Sequence, residues 1–284
     1  MGEYRPEAYW SRVAQEIDKR ESRYVAGDDN PYYRYKRLRF LHKFLDTIDF
    51  QSQVVLEVGI GPGGNLQHIA THHRPRKLLG ADVSQKMLAI ATSNLSPHHA
   101  VALTKIDGIA LPYPDQSVDT SFTVTVLQHN TDEHMCSSLV HELCRVTKTT
   151  IVTIEDIGTN RALGCRGDWI GRRVDVYRSI FEADGFRLHS VEFLNTKVSR
   201  AWHRVVFGFY KRAIARQHRE GDPMLKAFQY LIGLPMPITR ILDDLFVDKR
   251  DLAKMVFHRE SHTGPTGDVA PPPVERPTRT GRGR

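Results

Sequence analysis

The sequence predicts an α/β fold with one large core: a mostly parallel, seven-stranded sheet with helices on both faces. Short apolar runs rich in β-branched residues alternate with amphipathic helical stretches, which is the pattern of βαβ units. The first run, Val54–Val58, passes into a glycine-rich turn and then a helix, as at a nucleotide-type site. A length of 284 residues suits one α/β domain with additions and would crowd two.

In chain order, residues 6–22 carry an amphipathic helical pattern. A second spans 31–48, where Tyr35, Leu38, Leu41, Phe44 and Leu45 recur near helical spacing. Strands follow at 53–58, 77–82, 101–106, 118–125, 150–156 and 186–194, with helices at 63–72, 84–94, 133–147 and 172–184. Residues 198–219 and 223–248 read as helices interrupted at Gly233–Pro237, and Lys254–His258 as a last strand. If that strand pairs with 186–194, the residues between them are a helical insertion able to wall off a substrate pocket. The expected organisation is an N-terminal helical cap over 1–49, a core over 50–195, the insertion and final strand over 196–259, and a tail over 260–284. The tail, with Pro271-Pro272-Pro273 and a terminal Arg-Gly-Arg run, lacks the apolar residues to build a core and reads as disordered.

Composition narrows the class. The hydrophobic fraction is 40%, enough for a packed interior, and no run approaches the roughly 20 apolar residues of a membrane helix. The first residues form no apolar signal segment, so a cytoplasmic, soluble protein is expected. Cys136, Cys144 and Cys165 fit no metal-ligand spacing, and the first two fall in a helical pattern as core residues. A net charge of +7 raises nucleic acid as a partner, with thirteen Lys or Arg against six acids between Arg161 and Glu220. No aromatic-interleaved or zinc-binding recognition motif accompanies that charge, so nucleic acid is not favoured. An anionic acceptor or peripheral contact with an anionic membrane suits it equally.

The glycine turn reads as a cofactor loop. Gly59, Gly61 and Gly63 let the backbone turn sharply and approach a ligand, while the amides of the next helix start remain free to donate. Gly59, Gly61 and Gly64 also satisfy a dinucleotide fingerprint, so the glycines alone leave NAD and S-adenosylmethionine both open. Glu57, two residues earlier, would repel a pyrophosphate and suit the sulfonium and ammonium of S-adenosylmethionine. Asp82 ends the second strand, where an acid chelates the ribose hydroxyls of either cofactor; its alternative is to cap the next helix, which Ser84 could also do. Asp107 ends the third strand and could accept the exocyclic amine of adenine, or serve only as a turn-forming Asp-Gly. Three carboxylates on one sheet edge favour a cationic ligand.

Four segments resemble class I S-adenosylmethionine-dependent methyltransferases, of the type 11-like kind: Leu56–Gly63, Gly80–Leu88, Asp107–Tyr113 with Ser117-Val118-Asp119, and Val126–His129. The helix around Glu142–Val146 is similar to the family's segment before its fifth strand, and the likeness covers roughly residues 50–194. Thr147–Thr150 departs from the family's Pro-Gly-Gly turn. The resemblance implies a Rossmann-like fold and S-adenosyl-L-methionine as cofactor. It assigns the Glu57–Gly63 loop to the methionine portion, Asp82 to the ribose and Met87 to one face of adenine, with Val83 also at the cofactor. Asp107-Gly108 would meet the adenine amine edge, and Leu127-Gln128-His129 would lie near the reactive methyl. Tyr32, Tyr33 and Tyr35 are candidates for a closing N-terminal segment, or for ordinary packing.

Methyl transfer is an in-line displacement at an activated carbon, so the protein's tasks are alignment and water exclusion, and no metal is expected. His129 is the candidate base for a hydroxyl acceptor; Glu155 and Asp156 are secondary candidates, or a loop pair. The expected acceptor is an O or N atom of a small molecule, sugar or lipid, since no Asn-Pro-Pro-Tyr-type motif follows the fourth strand. An RNA or protein methyltransferase, a non-catalytic S-adenosylmethionine-binding protein and an NAD-dependent oxidoreductase are the alternatives.

Overall fold

The computed structural model of the chain describes residues 5–20, 23–26, 31–95, 101–158, 161–163, 169–213, 223–246 and 252–260. Its strands are β1 (Val54–Val58), β2 (Lys77–Asp82), β3 (Val101–Lys105), β4 (Val118–Val124), β5 (Thr147–Asp156), β6 (Arg161–Leu163), β7 (Trp169–Gly171), β8 (Phe186–Phe193) and β9 (Leu252–Arg259). Seven of them form one sheet in the order β3-β2-β1-β4-β5-β9-β8. β1 to β5 run parallel, and β9 is antiparallel to both β5 and β8. The strand order reverses between β1 and β4, and in open parallel sheets ligands bind outside the C-terminal strand ends at such a point.

The helices are α1 (Pro6–Asp18), α2 (Pro31–Phe40), α3 (Gly64–His72), α4 (Gln85–Asn94), α5 (Glu133–Val146), α6 (Val174–Ala183), α7 (Lys197–Ala213), α8 (Pro223–Gly233) and α9 (Met236–Leu245). They cover both faces because the strands are apolar on both. On β1, Leu56 and Val58 point into a cluster with Leu139, Leu143, Tyr177 and Phe181 of α5 and α6. Val55 points the other way, to Leu66, Ile69, Leu88 and Ala91 of α3 and α4. Cys136 and Cys144 are buried thiols of the α5 layer.

Several boundaries depart from the sequence reading. The helix expected over 31–48 changes to π-helical winding at Leu41–Leu45, which periodicity does not reveal. Helix α5 ends at Val146 and β5 begins at once, three residues earlier than expected. The Thr147–Thr150 run is extended, as suits β-branched residues, and the buried Thr147 hydroxyl hydrogen-bonds Ser121 Oγ at 2.6 Å. The β6–β7 hairpin was not expected; each arm is only three residues long. Among the described residues, the insertion between β8 and β9 holds α7, α8 and α9. The helix expected over 214–219 and the disordered tail over 261–284 lie outside the described residues.

Candidate active site

A cavity of about 270 Å³ opens at the C-terminal ends of β1, β2, β3 and β4. Gly59, Ile60, Gly61 and Pro62 form its floor on one side, Asp82, Val83 and Met87 the next wall, and Ile106 with Gly108 the third. Val124, Thr125, Val126 and His129 close the β4 side.

The glycine loop is fixed by its neighbours. Gly59 and Gly61 adopt φ of +75° and +54°, a left-handed conformation that favours glycine. A side-chain carbon on Gly59 would lie 2.2 Å from Val126 Cγ2, whereas one on Gly61 would meet nothing within 4 Å. Gly59 is therefore required for loop packing, and Gly61 for open space beside the cavity. Asp82 ties the loop down: its Oδ2 accepts from Gly61 N–H at 2.9 Å and its Oδ1 from Ser84 N–H at 2.8 Å. Each oxygen keeps lone-pair capacity toward the cavity. Burial raises the Asp82 pKa, opposed by those backbone donors. The capping role is filled by Ser84, whose hydroxyl accepts from Met87 N–H at 3.3 Å.

Glu57 sits one layer beneath the cavity and is not one of its lining residues. Its Oε1 accepts from Asn65 Nδ2 at 2.6 Å, and Asn65 Oδ1 accepts from Arg37 Nη1 at 2.5 Å. Burial pushes the Glu57 carboxyl up to about 8, against the Asn65 hydrogen bond and the Arg37 charge. Its Oε2 is buried with no hydrogen-bond partner among the described residues, a costly arrangement unless a ligand or charge supplies the other half. Arg37 and Asn65 do line the cavity, and neither was marked by the sequence reading. Arg37 is pushed down to about 10 by burial, so it stays cationic at neutral pH.

Asp107 takes the role of its simpler alternative. It is exposed, does not line the cavity, and its Oδ1 accepts from Ile109 N–H and Ala110 N–H, both at 2.9 Å. Those donors hold its carboxyl below the usual range. Gly108 does line the cavity. Leu127 and Gln128 also lie behind the wall: Leu127 packs in the α5 core, and Gln128 Oε1 accepts from Asp156 N–H at 2.8 Å. Gly63 is the left-handed N-cap of α3.

His129 ends a short 3₁₀ segment, Leu127–His129, that two buried residues clamp. Glu155 accepts from the amides of Val126, Leu127 and Gln128 at 3.1 to 3.2 Å, so it supports this loop instead of facing an acceptor. Burial pushes Glu155 up to about 7, opposed by those amides. Arg172, 1% exposed, donates to Leu127 O at 2.8 Å and Asn130 O at 2.6 Å, and its guanidinium pairs with Glu133 at 3.1 Å. Arg172 is expected from sequence only as the first residue of a helix over 172–184 within a basic segment, with no buried role. Thr125, in the left-handed region at φ +54°, is a strained β-branched residue on the cavity wall.

The cap comes from the N-terminal helices. Trp10 of α1 meets the His129 ring edge-on at 5.0 Å between centroids. Helix α1 is anchored by Ala14 and Ile17 packed against Met87 and Ile90 of α4, and by a 3.1 Å contact between the Ser11 and Ser84 hydroxyls. On α2, Tyr33, Lys36, Arg37 and Phe40 recur at helical spacing and line the cavity. Tyr32 and Tyr35 lie on the opposite side, where their hydroxyls meet Thr196 and Asp243 at 3.1 Å each. Of the three tyrosines, one lines the cavity and two pack.

Away from the cavity, Asp46, His68 and His73 present ligand-type atoms within 4.8 Å of one another. His68 Nε2 meets Asp46 Oδ1 at 2.6 Å, tying the π-helical segment to α3.

Residues 55–150 match the family model described as "Methyltransferase domain". A malonyl-acyl-carrier-protein O-methyltransferase of Marinomonas sp. is 33% identical over 101 residues, which cover 34% of this chain and 35% of that protein. The match thus spans about a third of that relative's length. Among solved structures, magnesium protoporphyrin IX methyltransferase from Synechocystis with bound S-adenosylmethionine superposes with a TM-score of 0.55 at 12% identity, covering 89% of this chain and 95% of that one. Phosphoethanolamine N-methyltransferase 2 of Haemonchus contortus with S-adenosyl-L-methionine gives 0.56 at 15% identity, covering 91% and 60%. The cyclase SpnF gives 0.51 at 19% identity, covering 80% of each chain. These likenesses establish the fold. With a cyclase in the same set, the fold alone does not fix the reaction.

Proposed function

We propose that this chain, whose residues 55–150 belong to a methyltransferase-domain family, binds S-adenosyl-L-methionine in the cavity beside β1 and transfers its methyl group to an O or N atom of a small-molecule, sugar or lipid acceptor. The observation that carries the reading is the set of groups converging at the strand ends. Gly61 has open space where a side chain would stand, Asp82 has spare acceptor capacity, and Glu57 has a buried, unsatisfied oxygen. A ligand with a ribose diol fits beside Gly61 and Asp82 directly, and its cationic end would act on Glu57, one layer beneath the cavity, through charge. Asp82 would hold the diol, Met87 and Val83 the adenine side, and Gly59 to Gly61 with Asn65 the amino-acid portion, with Arg37 toward its carboxylate. When bound, the cofactor supplies a methyl group made electrophilic by the adjacent sulfonium.

The chain's own residues then align and desolvate the reaction. Trp10, Tyr33 and Phe40 cover the cavity with apolar surface, which excludes competing water. His129, held rigidly by Glu155 and Arg172 through the loop backbone, is positioned to take the proton from a hydroxyl acceptor.

Incubating the protein with methyl-labelled S-adenosylmethionine and cell extract, then separating lipid, polysaccharide, RNA, protein and small-molecule pools, tests the acceptor class. Label in the lipid, sugar or small-molecule pool is expected. Label confined to RNA or protein contradicts the acceptor class, and label in no pool contradicts the transfer.

A further inference from the structure

Two insertion helices, α7 and α9, bury polar residues and carry exposed apolar stripes. On α7, Ser199, His203 and Val206 are buried while Trp202, Val205 and Phe209 are exposed, the last at 61%. On α9, Thr239 and Asp243 are buried while Ile238, Ile241 and Leu245 are exposed by 64 to 69%. Each exposed set falls at i, i+3 and i+7, one face of a helix. Tyr230, Leu231 and Leu234 add an exposed apolar strip at the end of α8, and Trp202 Nε1 donates to Leu231 O at 3.2 Å, joining the α7 and α8 strips.

The polar residues face inward because they bond one another. Ser199 Oγ donates to Thr239 Oγ1 at 2.9 Å, and Asp243 accepts from Val198 N–H, Ser199 N–H and the Tyr35 hydroxyl. His203 stacks on Tyr32 of α2 at 4.7 Å. A soluble helix normally buries its apolar face; here Val206 and Ile232 are buried against Tyr32, yet neighbouring helices leave further apolar stripes exposed, an outer surface suited to an apolar partner.

Charge selects the partner. From Lys197 to Phe246 the chain has nine Lys or Arg against four acids. Two of those acids are already engaged: Asp243 is buried in the network above, and Asp244 pairs with Arg39 and Lys43. Lys197, Arg200 and Arg204 fall at i, i+3 and i+7 along α7, flanking its apolar stripe. An apolar stripe bearing Trp and Phe beside a basic one matches a bilayer interface with anionic head groups, where the apolar side chains enter the acyl boundary and the cations meet the phosphates.

We propose that α7, α8 and α9 form a docking surface for an anionic lipid bilayer. The docking does not depend on methyl transfer. The insertion packs on Tyr32 and Tyr35 of α2, and Tyr33 meets both the insertion and the cavity, so one helix joins the docking face to the cofactor site.

Sedimentation with phosphatidylcholine vesicles, with and without a quarter of phosphatidylglycerol, tests this on the full chain without added cofactor. Binding to the anionic vesicles is expected, weakened by salt. The double variant Ile241→Glu with Leu245→Glu, both exposed, should bind about tenfold more weakly or worse with an unchanged circular dichroism spectrum. Lys197→Glu with Arg204→Glu should abolish the preference for anionic vesicles, and Asp82→Ala should bind them like the parent protein, separating docking from the cofactor site. No binding to either vesicle overturns the proposal. So does light scattering that finds a dimer which Ile241→Glu with Leu245→Glu converts to monomer without a change in vesicle binding.

Discussion

At the scale of single residues, Glu57 is where burial and charge conflict most sharply. Two residues before the glycine turn, it reads from sequence as a carboxylate awaiting a cation. The structure adds that burial pushes it up to about 8, so in the ligand-free protein it holds a proton at neutral pH. A cationic ligand favours the ionised form, so binding must expel that proton below about pH 8. Affinity for S-adenosylmethionine should therefore rise with pH up to about 8 and level off above it, and calorimetry in buffers of different ionisation enthalpy should detect the released proton. Glu57→Gln should flatten the profile; an unchanged slope in that variant removes Glu57 from the linkage. The sign for stability is opposite to the usual acid. A carboxyl whose folded pKa lies above its unfolded one contributes less as pH rises from the ordinary Glu range toward 8. Asp82 was legible because its position follows from strand spacing. Asp107 was not, because an Asp-Gly at a strand end satisfies a turn as well as a ligand, and only the amides of Ile109 and Ala110 decide between them.

At the scale of elements, the loop after β4 and the cap over the cavity carry the chemistry. The seven strands of the large sheet were readable from apolar runs alternating with helical stretches, whereas the β6–β7 hairpin was not. The clamp on residues 126–130 was not, since Glu155 and Arg172 act through backbone groups far away in sequence. Replacing Arg172 by Met leaves the carbonyls of Leu127 and Asn130 without their buried donor, and should cost about 3 kcal/mol of stability by denaturant titration. With the loop loosened, turnover should fall while cofactor affinity stays within about twofold, because the cofactor wall is formed by β1 and β2. His129→Ala should lower turnover by about a hundredfold or more with the same unchanged affinity, since it removes the proposed base and leaves its support. Full turnover in His129→Ala eliminates it as the base, and full turnover in Arg172→Met eliminates the clamp. Trp10 escaped the sequence reading for a related reason: an amphipathic helix announces an apolar face, not which cavity that face will cover.

At the scale of the whole molecule, one helix organises two surfaces. Tyr33, Lys36, Arg37 and Phe40 of α2 complete the cavity, while Tyr32, Tyr35 and Arg39 hold the insertion through Thr196, Asp243 and Asp244. The sequence indicated an insertion between the last two strands. The exposure of its apolar stripes was invisible, because periodicity locates an apolar stripe but not the direction it faces. The account rests on S-adenosylmethionine occupying the space beside Gly61 and Asp82. Isothermal titration calorimetry of S-adenosylmethionine into the parent protein, Gly61→Arg and Asp82→Ala, with circular dichroism as the check on folding, addresses it most directly. The prediction is saturable one-to-one binding to the parent protein, no detectable binding in either folded variant, and no response of the parent protein to NADH. Undiminished binding in both variants, or NADH binding in place of S-adenosylmethionine, would contradict it.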